Sequence, residues 1–177
     1  MRSLREAVGR ELAWKPRSLF SRTHELVDES GEGEPYATLV WRPGLLMRGP
    51  AEASSADGAW QFRHLGWFRA SVLVLAADGV TRLGTLRRYW RRGVLRFEDG
   101  REFTWRRASF WSPVWRFEDA NGTPVVRFRW RFSFPRGSTR VDFESSSESV
   151  AELALLVCLG WYLVLDARRR AAAHAAA

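Results

Sequence analysis

The sequence predicts an all-β domain: a closed antiparallel barrel of about 12 strands, built from hairpins and enclosing a hydrophobic C-terminal α-helix. Three observations predict it. Four turn dipeptides, Asp57-Gly58, Asp78-Gly79, Asp99-Gly100 and Asn121-Gly122, place their glycines 21, 21 and 22 residues apart. Between them, apolar and polar residues alternate with period two. The chain then closes on Leu153 to Leu165, thirteen residues without a charge.

Asp-Gly and Asn-Gly supply the positive-φ positions that tight hairpin turns need, so each period reads as one hairpin. A more weakly marked turn at Glu29-Ser30-Gly31 separates Glu25 to Val27 from Tyr36 to Trp41. Breaks at Arg42-Pro43-Gly44, Arg92-Gly93 and Pro135-Arg136-Gly137 are expected to link one hairpin to the next, bringing the count to ten to twelve strands. The alternation is clearest from Val126 to Phe134, where Val126, Phe128, Trp130, Phe132 and Phe134 interleave with Arg127, Arg129, Arg131 and Ser133. Leu95 and Phe97, Phe103 and Trp105, and Trp115 and Phe117 repeat it. Antiparallel strands with one wet face give this pattern; strands of a parallel sheet covered on both sides read as continuous apolar runs.

The C-terminal run is apolar on every face, so a helix formed there needs enclosure. Helix formers from Ala151 to Leu156 follow Ser147 and Ser149, either of which could cap it, and Arg168 to Arg170 suit its C-terminal end. The helix is expected over 150–166. A membrane span needs about 20 mostly apolar residues, and 10–14 is more often a buried core helix. The run falls short, although a C-terminal anchor flanked by Arg168 to Arg170 is the alternative. About twelve strands tilted by about 40° close into a barrel of about 12 Å radius, too wide for side chains alone to fill. The helix would fill it. Residues 1–170 then form one domain and 171–177 a disordered Ala-rich tail.

Composition narrows the function. Ten Trp, eleven Phe and three Tyr exclude a disordered chain. The one cysteine, Cys158, and the scattered His24, His64 and His174 give no disulfide, no metal-ligand spacing and no local nucleophile–base set. Neither a catalytic residue nor a metal or other cofactor is expected, and Cys158, set among Leu and Val, should be an inert buried thiol. The net charge of +8 is concentrated in residues 87–140, which hold fourteen Arg against five acids. Met1 to Lys15 contains no uncharged apolar run, so no secretory leader is expected and the chain is expected to stay in the cytoplasm.

The strand, Asp-Gly, strand units from Glu25 to Phe134 and the closing Ala154 to Asp166 segment resemble the tubby C-terminal-like superfamily, which includes the LURP-one-related proteins and the phospholipid scramblases. The resemblance covers nearly the whole chain. It implies a closed barrel of twelve strands around a hydrophobic C-terminal helix, and it suggests phosphoinositide binding through a basic surface. Scramblases carry an acidic calcium-binding segment before the last helix; Asp142, Glu144 and Glu148 stand near it without that spacing, and calcium wants six to eight oxygens.

Two basic groups are the candidate anion-binding residues. Arg87, Arg88, Arg91 and Arg92 form the densest cluster, interrupted by Tyr89 and Trp90, and Arg127, Arg129 and Arg131 form a ladder on one strand face. Such a surface suits anionic phospholipid or phosphoinositide headgroups at the inner membrane surface, or a nucleic-acid backbone. The plainer alternative is a solvated outward face in a chain that uses Arg where others use Lys. Trp105, Trp115 and Trp130 fall on the apolar phase and are expected in the core, whereas Trp111 lies in a break and is the best exposed candidate.

Overall fold

The computed structural model describes residues 1–18, 21–29, 33–42, 50–65, 71–89, 92–109, 114–131 and 138–175. It is a closed antiparallel barrel of twelve strands with one C-terminal helix. The strands are β1 (Leu12–Pro16), β2 (Thr23–Asp28), β3 (Ala37–Trp41), β4 (Ala51–Ser55), β5 (Gly58–Leu65) and β6 (Ser71–Ala76), followed by β7 (Arg82–Arg88), β8 (Arg92–Phe97), β9 (Glu102–Arg107), β10 (Val114–Glu118), β11 (Pro124–Arg131) and β12 (Ser138–Phe143). Each pairs with its neighbours in the chain, and β1 closes the ring on β12 with Trp14 opposite Thr139. The helix α1 runs through Leu153–Ala175.

The four Asx-Gly dipeptides do join β4 to β5, β6 to β7, β8 to β9 and β10 to β11, with all four glycines at positive φ. Side-chain oxygens hold these turns: the Asp78 carboxylate accepts from the Val80 and Thr81 amides, and Asp119 accepts from Asn121 and Thr123. A two-strand period returns the chain to the same end, so all four turns lie at one end of the barrel. Residues 2–8 lie across that end. The Asp57 carboxylate accepts from the Ser3 hydroxyl and the Leu4 amide, and Leu4 and Ala7 are buried in the core.

Arg92-Gly93 corrects one expectation. These residues belong to β8, where the Arg92 carbonyl accepts from the Tyr89 amide at 2.7 Å. Gly93 is buried in the wall opposite Arg88 and Trp105, where a Cβ would stand 3.3 Å from Leu86 and from the Arg87 carbonyl. The glycine serves spacing inside the sheet. Gly31, Pro43-Gly44 and Pro135-Arg136-Gly137 lie outside the described residues.

Every residue from Leu153 to Leu163 is buried, so α1 is enclosed on all sides. Its large side chains, eight in number, each contribute about 1.5–3 kcal/mol on burial. That sum is comparable to or larger than the roughly 5–15 kcal/mol by which a domain is stable, so loss of either the helix or the barrel is expected to unfold the other. Rings lock them together: Trp14 stacks on Trp161 at 5.7 Å, Trp41 stacks on Tyr162 at 4.8 Å, and Phe62 meets Tyr162 at 5.4 Å. Among the described residues no helix is long and apolar enough to cross a membrane.

The bounds of α1 differ from expectation at both ends. Ser147 does not cap it; this serine sits in a 3-10 helix, Ser145–Ser149, and its buried hydroxyl donates to the Val125 carbonyl. The α-helix starts at Leu153. It also continues past 166 to Ala175, so most of the expected disordered tail is helical, because alanine is the best helix former and nothing in the tail breaks the pattern.

Gly160 is the tightest point of this packing, since a Cβ there would fall 2.2 Å from the Phe128 ring. In an isolated helix Gly→Ala gains about 1 kcal/mol. Here overpacking, which costs about 1–3 kcal/mol or more, should win. Gly160→Ala is therefore expected to lower the urea midpoint, and a midpoint above that of the parent would contradict the packing described.

Candidate anion-binding site

Strand register gathers arginines that are far apart in sequence. On the outer surface Arg92 of β8 is paired with Arg106 of β9, Arg106 with Arg116 of β10, and Arg116 with Arg127 of β11. Four guanidinium-bearing residues thus stand directly opposite one another across four strands, a span of about 14 Å at about 4.8 Å per strand. Like charges in such positions repel. Two residues along β11, Arg129 faces Arg140 of β12.

Carboxylates hold part of this row. Glu118, itself buried, bonds Arg116 at 2.5 Å and lies 3.6 Å from Arg106; Glu144 bonds Arg127 at 2.8 Å. Asp142 lies 3.8 Å from Arg129 and 3.6 Å from Arg140, which also contacts Glu11 and Glu29. Asp142 and Glu144 are thus counter-ions of the arginine ladder. The row thins toward β8. Arg92 lies over the exposed Tyr89 ring, and Arg87 stands exposed on β7; among the described residues neither has a carboxylate partner. Among the described residues, the cationic side chains of this surface without a carboxylate partner are therefore Arg92, at the β8 end of the row, and Arg87 beside it on β7.

The expected site is rearranged accordingly. Arg87 and Arg92 are on the surface, and Arg127 and Arg129 are on the same sheet but two strands beyond β9. They are connected to Arg92 through Arg106 and Arg116, which the sequence reading did not single out. Arg88 is elsewhere: it points into the barrel, in phase with buried Leu86. Arg91, Trp90 and Trp111 lie outside the described residues, as do the side chains of Arg131 and Trp130. Trp105 is in the core, and Trp115 packs partly buried against it at 5.3 Å.

The end of the barrel opposite the Asx-Gly turns, from which α1 emerges, is a second charged region. Asp166 of α1 is buried there and accepts from Arg88 at 2.5 Å and from His64 at 3.0 Å, with Arg170 at 3.2 Å. Burial by itself would raise this carboxyl, but the His64 hydrogen bond and the charge of Arg88 outweigh it and hold the group well below the usual carboxylate range. An ionised carboxylate only accepts, so His64 Nε2 carries the hydrogen. Removing one partner from such a buried set costs about 3–5 kcal/mol. The network ties α1 to β5 and β7 and fixes the helix in rotation.

Around Asp166 the region is basic. Arg168 donates to Thr139 Oγ1 at 3.1 Å and lies over Trp161, and Arg169 lies 3.9 Å over the Trp41 ring. Burial pushes Arg168 down to about 10. His24, edge-on to Trp161, is lowered to about 4, first by burial and then by the charges of Arg169 and Arg168. Cys158 is buried in the core, which pushes its thiol up. Among the described residues no group of histidine, cysteine and acidic side chains is placed to hold a metal ion.

No known family, curated protein or solved structure matches this chain.

His24 makes the fold pH-sensitive in a calculable direction. Its folded value lies below the unfolded value of about 6.5, so the unfolded chain binds more protons between about pH 6.5 and 4 and stability falls with pH across that window. Above it the imidazole is neutral in both states. At pH 5 the loss from this group is about 2 kcal/mol at 1.36 kcal/mol per unit. Urea denaturation at pH 7 and pH 5 should show His24→Phe losing less stability than the parent on acidification. Equal losses would contradict the buried neutral imidazole.

Proposed function

We propose that the chain is a non-enzymatic binding module of tubby-like build that docks on anionic phospholipid or phosphoinositide headgroups at a cytoplasmic membrane surface, through the outer arginine row. The observation that carries this reading is the unbroken cross-strand series Arg92, Arg106, Arg116 and Arg127. A solvated face needs no such alignment, and repulsion between directly opposed like charges disfavours it. The acids beside it neutralise the β9–β11 side and leave the β7–β8 side cationic. Guanidinium forks match phosphate oxygens in pairs. Tyr89 and Leu65, two of the exposed large apolar side chains, stand at the same end of the barrel as Arg87 and Arg92, where a membrane interface would receive an aromatic ring beside basic groups. Twelve strands around a hydrophobic C-terminal helix also agree with the architecture that the tubby resemblance implies.

Each basic residue near an anionic leaflet is worth about 1 kcal/mol, an attraction that salt screens. Phosphatidylcholine vesicles containing phosphatidylserine should therefore retain the protein at low salt and release it as salt rises. Arg92→Gln/Arg106→Gln, two changes at exposed positions, should weaken retention by roughly tenfold or more. Equal retention by pure phosphatidylcholine vesicles would overturn the reading. So would salt-dependent binding of single-stranded RNA or DNA with no vesicle retention, the outcome expected of a nucleic-acid-binding face.

A further inference from the structure

At the end of the barrel from which α1 emerges, on the side away from the Asp166 network, the described residues leave a gap between α1 and the wall. Its residues Val164, Ala167, Arg168 and Ala171 fall on one face at helical spacing, and opposite them stand Trp115 and Phe128. Two of the four helix positions are alanines, so the small side chains of the helix meet the large ones of the wall across a gap. The gap is a slot of about 370 Å³. Phe128, which lines it, packs directly against Gly160 of the helix.

The slot has apolar sides and a cationic rim. Arg107, exposed, lies 5.6 Å over the Trp115 ring, and Arg168 is held toward the wall by its hydrogen bond to Thr139 Oγ1. None of the described residues lining it is acidic. Its volume is near the lower limit of ligand pockets, about 300 Å³, which suits one hydrocarbon chain and not the two of a phospholipid. We propose that this slot binds a single-chain amphiphile with an anionic head, a medium-chain fatty-acid carboxylate, whose chain lies against Trp115, Phe128 and Val164 and whose carboxylate meets Arg107 and Arg168. The chemistry is complementary at both ends. Burying the chain removes apolar wall from water, and a planar carboxylate accepts paired N–H donors from a guanidinium. The site goes beyond the proposed headgroup docking, for it lies inside the barrel, uses other arginines and is carried by a different observation.

The probes are decanoate and decyltrimethylammonium, equal in chain and opposite in charge, titrated into the full chain and followed by the Trp115 indole NMR signal, assigned with Trp115→Phe. Decanoate should saturate at one equivalent and shift that signal, and the ammonium should bind at least tenfold more weakly. Arg107→Gln should reduce decanoate affinity about tenfold. Ala171→Trp, at an exposed position of the helix, should block the slot and abolish binding even if substitutions at Arg168 prove disruptive. Arg92→Gln/Arg106→Gln should leave decanoate affinity unchanged while weakening vesicle retention, which separates this site from the outer row. The proposal is overturned by equal binding of the two probes, by decanoate binding that survives Ala171→Trp, or by no saturable binding.

Discussion

A helix that is apolar on every face cannot lie on a surface, and a ring of twelve strands cannot close over empty space. These two requirements meet in α1. From Leu153 to Leu163 every residue is buried, and the barrel wall supplies rings from β1, β2, β3 and β5 to receive it. Because the wall is one continuous hydrogen-bonded circuit, every strand depends on the same central element. The close contact of Gly160 with Phe128 and the buried Asp166 set then fix depth and rotation of the helix, the first by sterics and the second by charge.

The surface follows from the same geometry. Closing the sheet determines which outward residues stand opposite each other, and in β8 to β11 these are arginines. The wall tolerates them because Glu118 and Glu144 are placed as counter-ions, with Glu118 buried beneath Arg116. The arrangement is graded: neutralised toward β11 and β12, cationic toward β7 and β8. An interior filled by one helix also explains where space is left. The N-terminal segment covers the end with the Asx-Gly turns, whereas at the other end the helix tapers to alanines against Trp115 and Phe128 and a slot opens.

Local signals were legible in the sequence and register was not. The four Asx-Gly turns and the period-two runs are short-range patterns, readable because turn chemistry and pleat act over two to four residues. The uncharged run announced a buried helix by its length and its lack of a polar face. By contrast, the row from Arg92 to Arg127 exists only once strands are in register, and a slip of one residue would point each side chain to the other face. His64 and Asp166 are 102 positions apart, so no spacing rule could join them. Arg88 was readable in part: it shares the phase of Leu86 and so belongs inside, a signal hidden by the exposed arginines around it. The helix ran past 166 because a basic and alanine-rich stretch, read as a tail, has high helix propensity once a helix precedes it.

The mutual dependence of helix and barrel is tested most directly by native-state hydrogen exchange. The account predicts that amides from Leu155 to Leu163 exchange only through global unfolding, with the same free energy as amides at the strand centres around Phe117 and Phe128. Helix amides that open at a distinctly lower free energy, while the strands stay protected, would mean that the barrel stands without its centre and would contradict the account.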